Sequence, residues 1–145
     1  MRRSVKIAIG LLATLVMGWI YHGPLGRGQA LVDMLEGQAK VAVAQAELPG
    51  IKVRMIRDPL ARVARLSGSA NDLQREGLGG QLGINDFVRD VPGISSVRWD
   101  DEPAARSPVV PLLAETELLA LLAYLIGLGL GWLLFGRRRR ESFLD

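Results

Sequence analysis

The sequence predicts an α+β fold: a small αββαβ module, a three-stranded sheet with two helices on one face, held between two transmembrane α-helices. Three observations predict it. The eighteen residues Leu118 to Phe135 carry no charge, and Arg137, Arg138, Arg139 and Arg140 follow after Gly136. A second apolar stretch, Ile7 to Tyr21, stands behind Arg2, Arg3 and Lys6. Between the two stretches, apolar residues recur first at helical and then at alternating spacing.

A helix of eighteen residues rises about 27 Å, close to the roughly 30 Å hydrocarbon core of a bilayer. Positive residues are retained on the cytoplasmic side, so the basic flanks place both termini there and the middle of the chain opposite. The expected organisation is an N-terminal anchor (1–22), an external domain (23–102), a linker (103–111), a second membrane helix (112–136) and a basic cytoplasmic tail (137–145). A cleaved signal peptide ending at Gln29-Ala30 is the alternative for the first stretch. Arg27 close to that point, and the bulky exit Trp19-Ile20-Tyr21, favour a retained anchor.

Trp19 and Tyr21 sit where an external aromatic belt lies, and Gly23-Pro24 and Gly26 break the helical path. From Arg27 to Leu48 the residues Leu31, Met34, Leu35, Ala39, Ala42 and Ala46 recur every three or four positions, predicting a helix that Pro49-Gly50 stops. Ile51 to Ile56 alternates as a strand, with Ile51, Val53 and Met55 on one face and Lys52 and Arg54 on the other. Asp58-Pro59-Leu60 predicts a turn, and Arg62 to Leu66 the returning strand of a hairpin. A helix capped by Asn71 or Asp72 is expected to run to about Val91, with Leu73, Leu78, Leu82, Phe87, Val88 and Val91 as its apolar positions. Gly77, Gly79, Gly80 and Gly83 weaken it, leaving two short helices or a helix closely packed on a neighbour as alternatives. Pro92-Gly93 ends it, and Ile94 to Asp100 forms the third strand, with Val97 and Trp99 on one face.

Net charge is +3, yet between His22 and Val110 eleven Lys/Arg balance eleven Asp/Glu. The excess lies in the tails, where it reports topology and suits anionic lipid, so nucleic acid is not an expected partner. Cysteine is absent, which removes disulfides and thiolate chemistry. The single histidine, His22, lies at the membrane edge beside a Gly-Pro break and is expected to anchor the interface rather than to serve as a base or haem ligand. No metal-ligand spacing, phosphate loop or dinucleotide fingerprint occurs. The run Asp100-Asp101-Glu102 is expected to be a solvated turn. Glu115 and Glu117 precede the apolar run closely enough to be hydrated, which argues against ion handling. The chain is expected not to be an enzyme and to need no cofactor.

Two surfaces remain. Gly10, Thr14 and Gly18 line one face of the first membrane helix, and Ala123, Gly127 and Gly131 line one face of the second. Small residues at these spacings let another helix approach closely. On the outer face of the sheet, Lys52, Arg54, Arg65 and Arg98 are placed to contact lipid phosphates or an acidic partner, or simply to be solvated.

Leu48-Pro49-Gly50-Ile51 and Val91-Pro92-Gly93-Ile94 each follow a helix and launch a strand. With the αββαβ order, Leu66-Ser67-Gly68 after the second strand, and Val97 after Val91-Pro92-Gly93-Ile94, residues Gly28 to Asp101 resemble a BON domain. The glycine-laden second helix and the single copy depart from that pattern. The resemblance implies a bacterial envelope module that binds phospholipid or serves as an attachment surface. The combined expectation is a non-catalytic accessory or scaffolding subunit of a larger bacterial inner-membrane complex, respiratory, photosynthetic or envelope machinery among them. Its domain is expected in the periplasm. A phospholipid-binding envelope-maintenance protein is the alternative.

Overall fold

The computed structural model describes residues 2–102 and 108–135. Arg137 to Arg140, residues 103–107 of the linker and the side chain of Arg3 lie outside the described residues.

Two long apolar helices, α1 (Arg3–His22) and α5 (Leu112–Phe135), are each long and apolar enough to cross a membrane. They pack against each other in opposite directions: Gly10 faces Tyr124 and Gly18 faces Glu117. The Tyr124 hydroxyl donates to the Ile7 carbonyl at 2.7 Å, and the Thr14 hydroxyl donates back to Gly10 within α1 at 2.9 Å. Both hydroxyls therefore reach a partner without water, which a hydrocarbon surrounding demands.

Beyond His22 the chain turns through Gly26, whose φ of 65° suits a residue without a β-carbon, into α2 (Arg27–Gln45). The face of α2 that enters the core carries Val32, Leu35, Ala39, Ala42 and Val43; of the expected stripe, Leu35, Ala39 and Ala42 are buried and Leu31 and Ala46 pack against the core, and Met34 alone turns away. Met34 is exposed. The sequence of α2 offers two overlapping apolar stripes, and only contact with the sheet selects between them.

Strands β1 (Lys52–Arg57) and β2 (Leu60–Ser67) form the expected hairpin around Asp58-Pro59, whose peptide bond is cis. Strand β5 (Ser96–Trp99) joins β2 in parallel, so β2 is central in the order β1-β2-β5. Helix α2 and a later helix, α4 (Ile84–Arg89), cover one face, burying Val53, Met55, Ala64, Leu66, Ile84, Val88 and Trp99. Each edge strand turns one N–H outward to a carboxylate: Met55 donates to Glu36 at 3.2 Å and Trp99 to Glu102 at 3.4 Å. Such caps block pairing of an edge with a foreign strand.

The expected long helix over 71–91 is replaced by two short ones with a hairpin between them. Helix α3 (Asp72–Glu76) opens on a capping box in which Asn71 and Gln74 bond each other's backbone N–H. Strands β3 (Gly77–Leu78) and β4 (Gln81–Leu82) then pair around Gly79-Gly80, and α4 follows. Gly79 and Gly80 have φ of 57° and 93°, the left-handed pair that a tight two-residue hairpin turn requires. Consequently Leu73, Leu78 and Leu82, expected to be apolar positions of one helix, are exposed. Four glycines in seven residues outweigh helix propensity once a hairpin gives their backbone groups partners.

Candidate functional site

Strand alternation sends Lys52, Arg54 and Arg65 to the sheet face opposite the helices, and the register aligns them further. Arg54 lies directly across from Arg65, and Arg65 beside Arg98, so three arginines cross the three strands in one row. Lys52 stands two residues from Arg54 on the same face, opposite Ser67. The four basic residues singled out in the sequence thus form one patch. It borders a concavity of about 550 Å³ lined by Lys52, Arg54, Arg65 and Ser67, with Asp58 and Asp100 among its walls.

Two other cations on the hairpin are committed elsewhere. Past an irregularity between Met55 and Arg57, Arg57 reaches α2, with Asp33 at 2.7 Å and Glu36 at 3.0 Å. Glu36 also takes Lys40 at 2.8 Å and the Met55 N–H. These donors, Lys40 foremost, hold its carboxyl at about 2, well below the usual carboxylate range, against the opposing effect of burial. Asp33 and Glu36 in turn raise Arg57 above its ordinary value. Arg62, on β2, donates to Glu115 at 2.6 Å and to the Gly93 carbonyl at 3.3 Å. That pair ties the sheet to the first turn of α5.

On the patch itself Arg65 meets Asp100 at 3.1 Å and remains more than half exposed. Lys52 and Arg54 are exposed and have no ion-pair partner among the described residues. Like charges placed directly opposite across strands repel, and Arg54 across from Arg65 is such a pair, with Asp100 offsetting the charge of Arg65.

Asp100-Asp101-Glu102 is the exposed turn expected, and each of its carboxylates also has a partner. Asp100 takes Arg65, and Glu102 caps Trp99. Asp101 holds Arg75 through both oxygens. That pair lowers the Asp101 carboxyl and raises Arg75. The Arg75 guanidinium lies 4.0 Å over the Trp99 ring, a cation–π arrangement. Beneath it the Trp99 indole N–H donates to buried Asn85 at 2.9 Å, and Asn85 donates to Glu76 at 2.8 Å. Sequence reasoning missed this chain, because residues 75, 76, 85, 99 and 101 share no local pattern. The polar Asn85 between apolar Ile84 and Val88 was the available signal. Among the described residues no group of three or more His, Asp or Glu is placed to hold a metal ion.

The second candidate surface lies on the helical pair. The small residues of the two helices do not meet each other. Gly10 and Gly18 receive the Tyr124 ring and the Glu117 carboxylate, and a β-carbon at either glycine would come within 2.6 Å of those side chains. A β-carbon at Gly127 or Gly131 would meet nothing within 4 Å among the described residues, and Ala123 is exposed. Glu117 departs from the hydrated carboxylate expected: its Oε2 is enclosed and has no hydrogen-bond partner among the described residues. Glu115 likewise is engaged rather than free. His22 packs against Gly28, where a β-carbon would lie within 2.5 Å of the imidazole, joining the end of α1 to the start of α2. Leu112, expected in the membrane helix, is buried in the core of the domain. Together Leu112, the Arg62–Glu115 pair and the His22–Gly28 contact seat the domain on the helical pair at three points.

Comparison with known protein families, with curated proteins and with solved structures finds no match.

Proposed function

We propose that this chain is a non-catalytic accessory subunit of a larger bacterial inner-membrane assembly. Both termini lie in the cytoplasm, and the αβ domain is a BON-like module held in the periplasm against the membrane. The observation that carries this reading is the unequal use of small residues on the two apolar helices. Gly10 and Gly18 are filled by the chain's own α5, while Gly127 and Gly131 have open space beside them among the described residues. Lipid packs against leucine as readily as protein does, so association in a bilayer depends on close approach at small residues. The open face of α5 offers that approach to a helix from another subunit. The three-point seat supports the same reading, since a domain fixed to its anchors presents its surface at one defined position.

Gentle extraction followed by native mass spectrometry tests it. The expected result is a mass well above the 15.8 kDa monomer, lost in a Gly127→Leu/Gly131→Leu variant. A lone wild-type monomer overturns the proposal. Reporter fusions at Asp145 test the orientation, and periplasmic activity there reverses it.

A further inference from the structure

We infer that the basic patch on the outer sheet face, through Lys52 and Arg54 of β1, is a recognition site for an extended acidic segment of a protein partner, with carboxylates at alternate positions. The inference rests on the accessory-subunit reading and adds the chemistry of what is recognised.

Neighbouring strands lie about 4.8 Å apart and alternate residues of a strand about 6.7 Å apart. Arg54, Arg65 and Arg98 across the strands, with Lys52 beside Arg54 along β1, therefore form a small grid of cations on those two spacings. An extended chain repeats its side chains on one face at the second spacing, so alternate acidic residues running along β1 match Lys52 and Arg54, with Arg65 one strand to the side. Arginine presents a planar fork that pairs with a carboxylate through two N–H groups. The Arg65–Asp100 pair at 3.1 Å is a carboxylate already accepted on this face.

Three features favour a protein segment over a bilayer surface. The site is a concavity rather than a flat or convex face. None of the large exposed apolar side chains belongs to β1, β2 or β5, so the face has nothing to insert among acyl chains. Asp58 and Asp100 stand within it and repel a uniformly anionic plane, whereas a segment can set its carboxylates over Lys52 and Arg54 and neutral residues beside the two aspartates. Lys52 and Arg54 are the groups left to answer an added carboxylate, being exposed and without ion-pair partners among the described residues.

The full chain in phosphatidylcholine nanodiscs, titrated with a fluorescein-labelled octapeptide alternating glutamate and threonine, tests the site by anisotropy. The expected result is saturable binding that weakens with salt and falls at least tenfold in Lys52→Ala/Arg54→Ala, while Arg89→Ala, an exposed cation on α4, leaves it unchanged. Absence of binding, or equal binding by the double variant, overturns the inference. So does a double variant that keeps the peptide but loses co-sedimentation with phosphatidylglycerol vesicles, which reassigns the face to lipid. Failure here leaves the accessory reading standing, because that reading is tested through α5.

Discussion

The helical pair and the αβ domain solve the problem of polar groups in opposite ways. Between α1 and α5 there are few polar groups: the Thr14 and Tyr124 hydroxyls are satisfied locally or across the pair, whereas one carboxylate oxygen of Glu117 has no hydrogen-bond partner among the described residues. In the domain, polar groups are gathered into networks: Glu36 with Lys40, Arg57 and Met55, and Trp99 with Asn85, Glu76, Arg75 and Asp101. The difference teaches where specificity resides. The pair fixes which helix meets which through shape at two glycines. The domain fixes its fold through apolar burial and then pins particular strands with charge. A surface left bare therefore means something different in each region: open glycines in the pair, unmatched cations in the domain.

The comparison can be broken most severely in the domain core. Leu66 is fully buried in central β2, so Leu66→Ala is expected to cost about 2–5 kcal/mol of domain stability. Circular dichroism should show the loss. Spin labels on cysteines placed at exposed Leu12 and Leu122 should keep their separation if the helical pair is independent, and the natural absence of cysteine keeps that readout clean.

Trp99→Phe keeps most of the ring but deletes the indole N–H, leaving the buried Asn85 oxygen without its donor. About 1–3 kcal/mol of stability should be lost in chemical denaturation. Trp99→Phe combined with Asn85→Leu should recover part of it. If the single variant is neutral, the network does not hold the sheet.

Glu36→Gln should cost about 1 kcal/mol through the weakened bonds to Lys40, Arg57 and Met55. Glu36 is held at about 2 when folded and at 4.5 when free. Its contribution is thus complete above pH 4.5 and is lost as pH falls from there toward 2. Wild-type stability measured against pH should decline through that window, and the variant should lack this part of the decline.

The smallest effect on the domain is expected from Gly18→Leu. It forces α1 away from Glu117 and should lengthen the separation of labels at positions 12 and 122, while the thermal midpoint of the domain moves by less than about 2 °C. A large drop in that midpoint would mean that the two regions fold as one unit.

Much of this architecture was legible in the sequence because each signal was local. The apolar runs, the Asp58-Pro59 hairpin and the helix–Pro-Gly–strand repeat all act within a few residues. So does the alternation that puts Lys52, Arg54 and Arg65 on one face. Less legible were elements whose residues serve two patterns at once. In α2, Met34 and Val32 compete for the core, and in residues 77–83 glycine permits both a weak helix and a tight hairpin. The candidate site divides the same way. Its residue types were visible, but the alignment of Arg54, Arg65 and Arg98 depends on the register of three strands, one of which arrives from about thirty residues away.

By itself, the sequence determined the apolar helices, the strand faces and the charge-neutral domain between basic ends, because periodicity and composition follow from side chains a turn or a pleat apart. Only the tertiary structure decided that α5 fills Gly10 and Gly18, that Gly127 and Gly131 are open and Arg54 unpaired among the described residues while Arg57 and Arg62 are engaged, and that Leu112, the first residue of α5, reaches into the core of the domain. Those outcomes depend on which elements meet. Long-range contacts set that, through buried apolar area and paired charge, and no short window of the chain contains them.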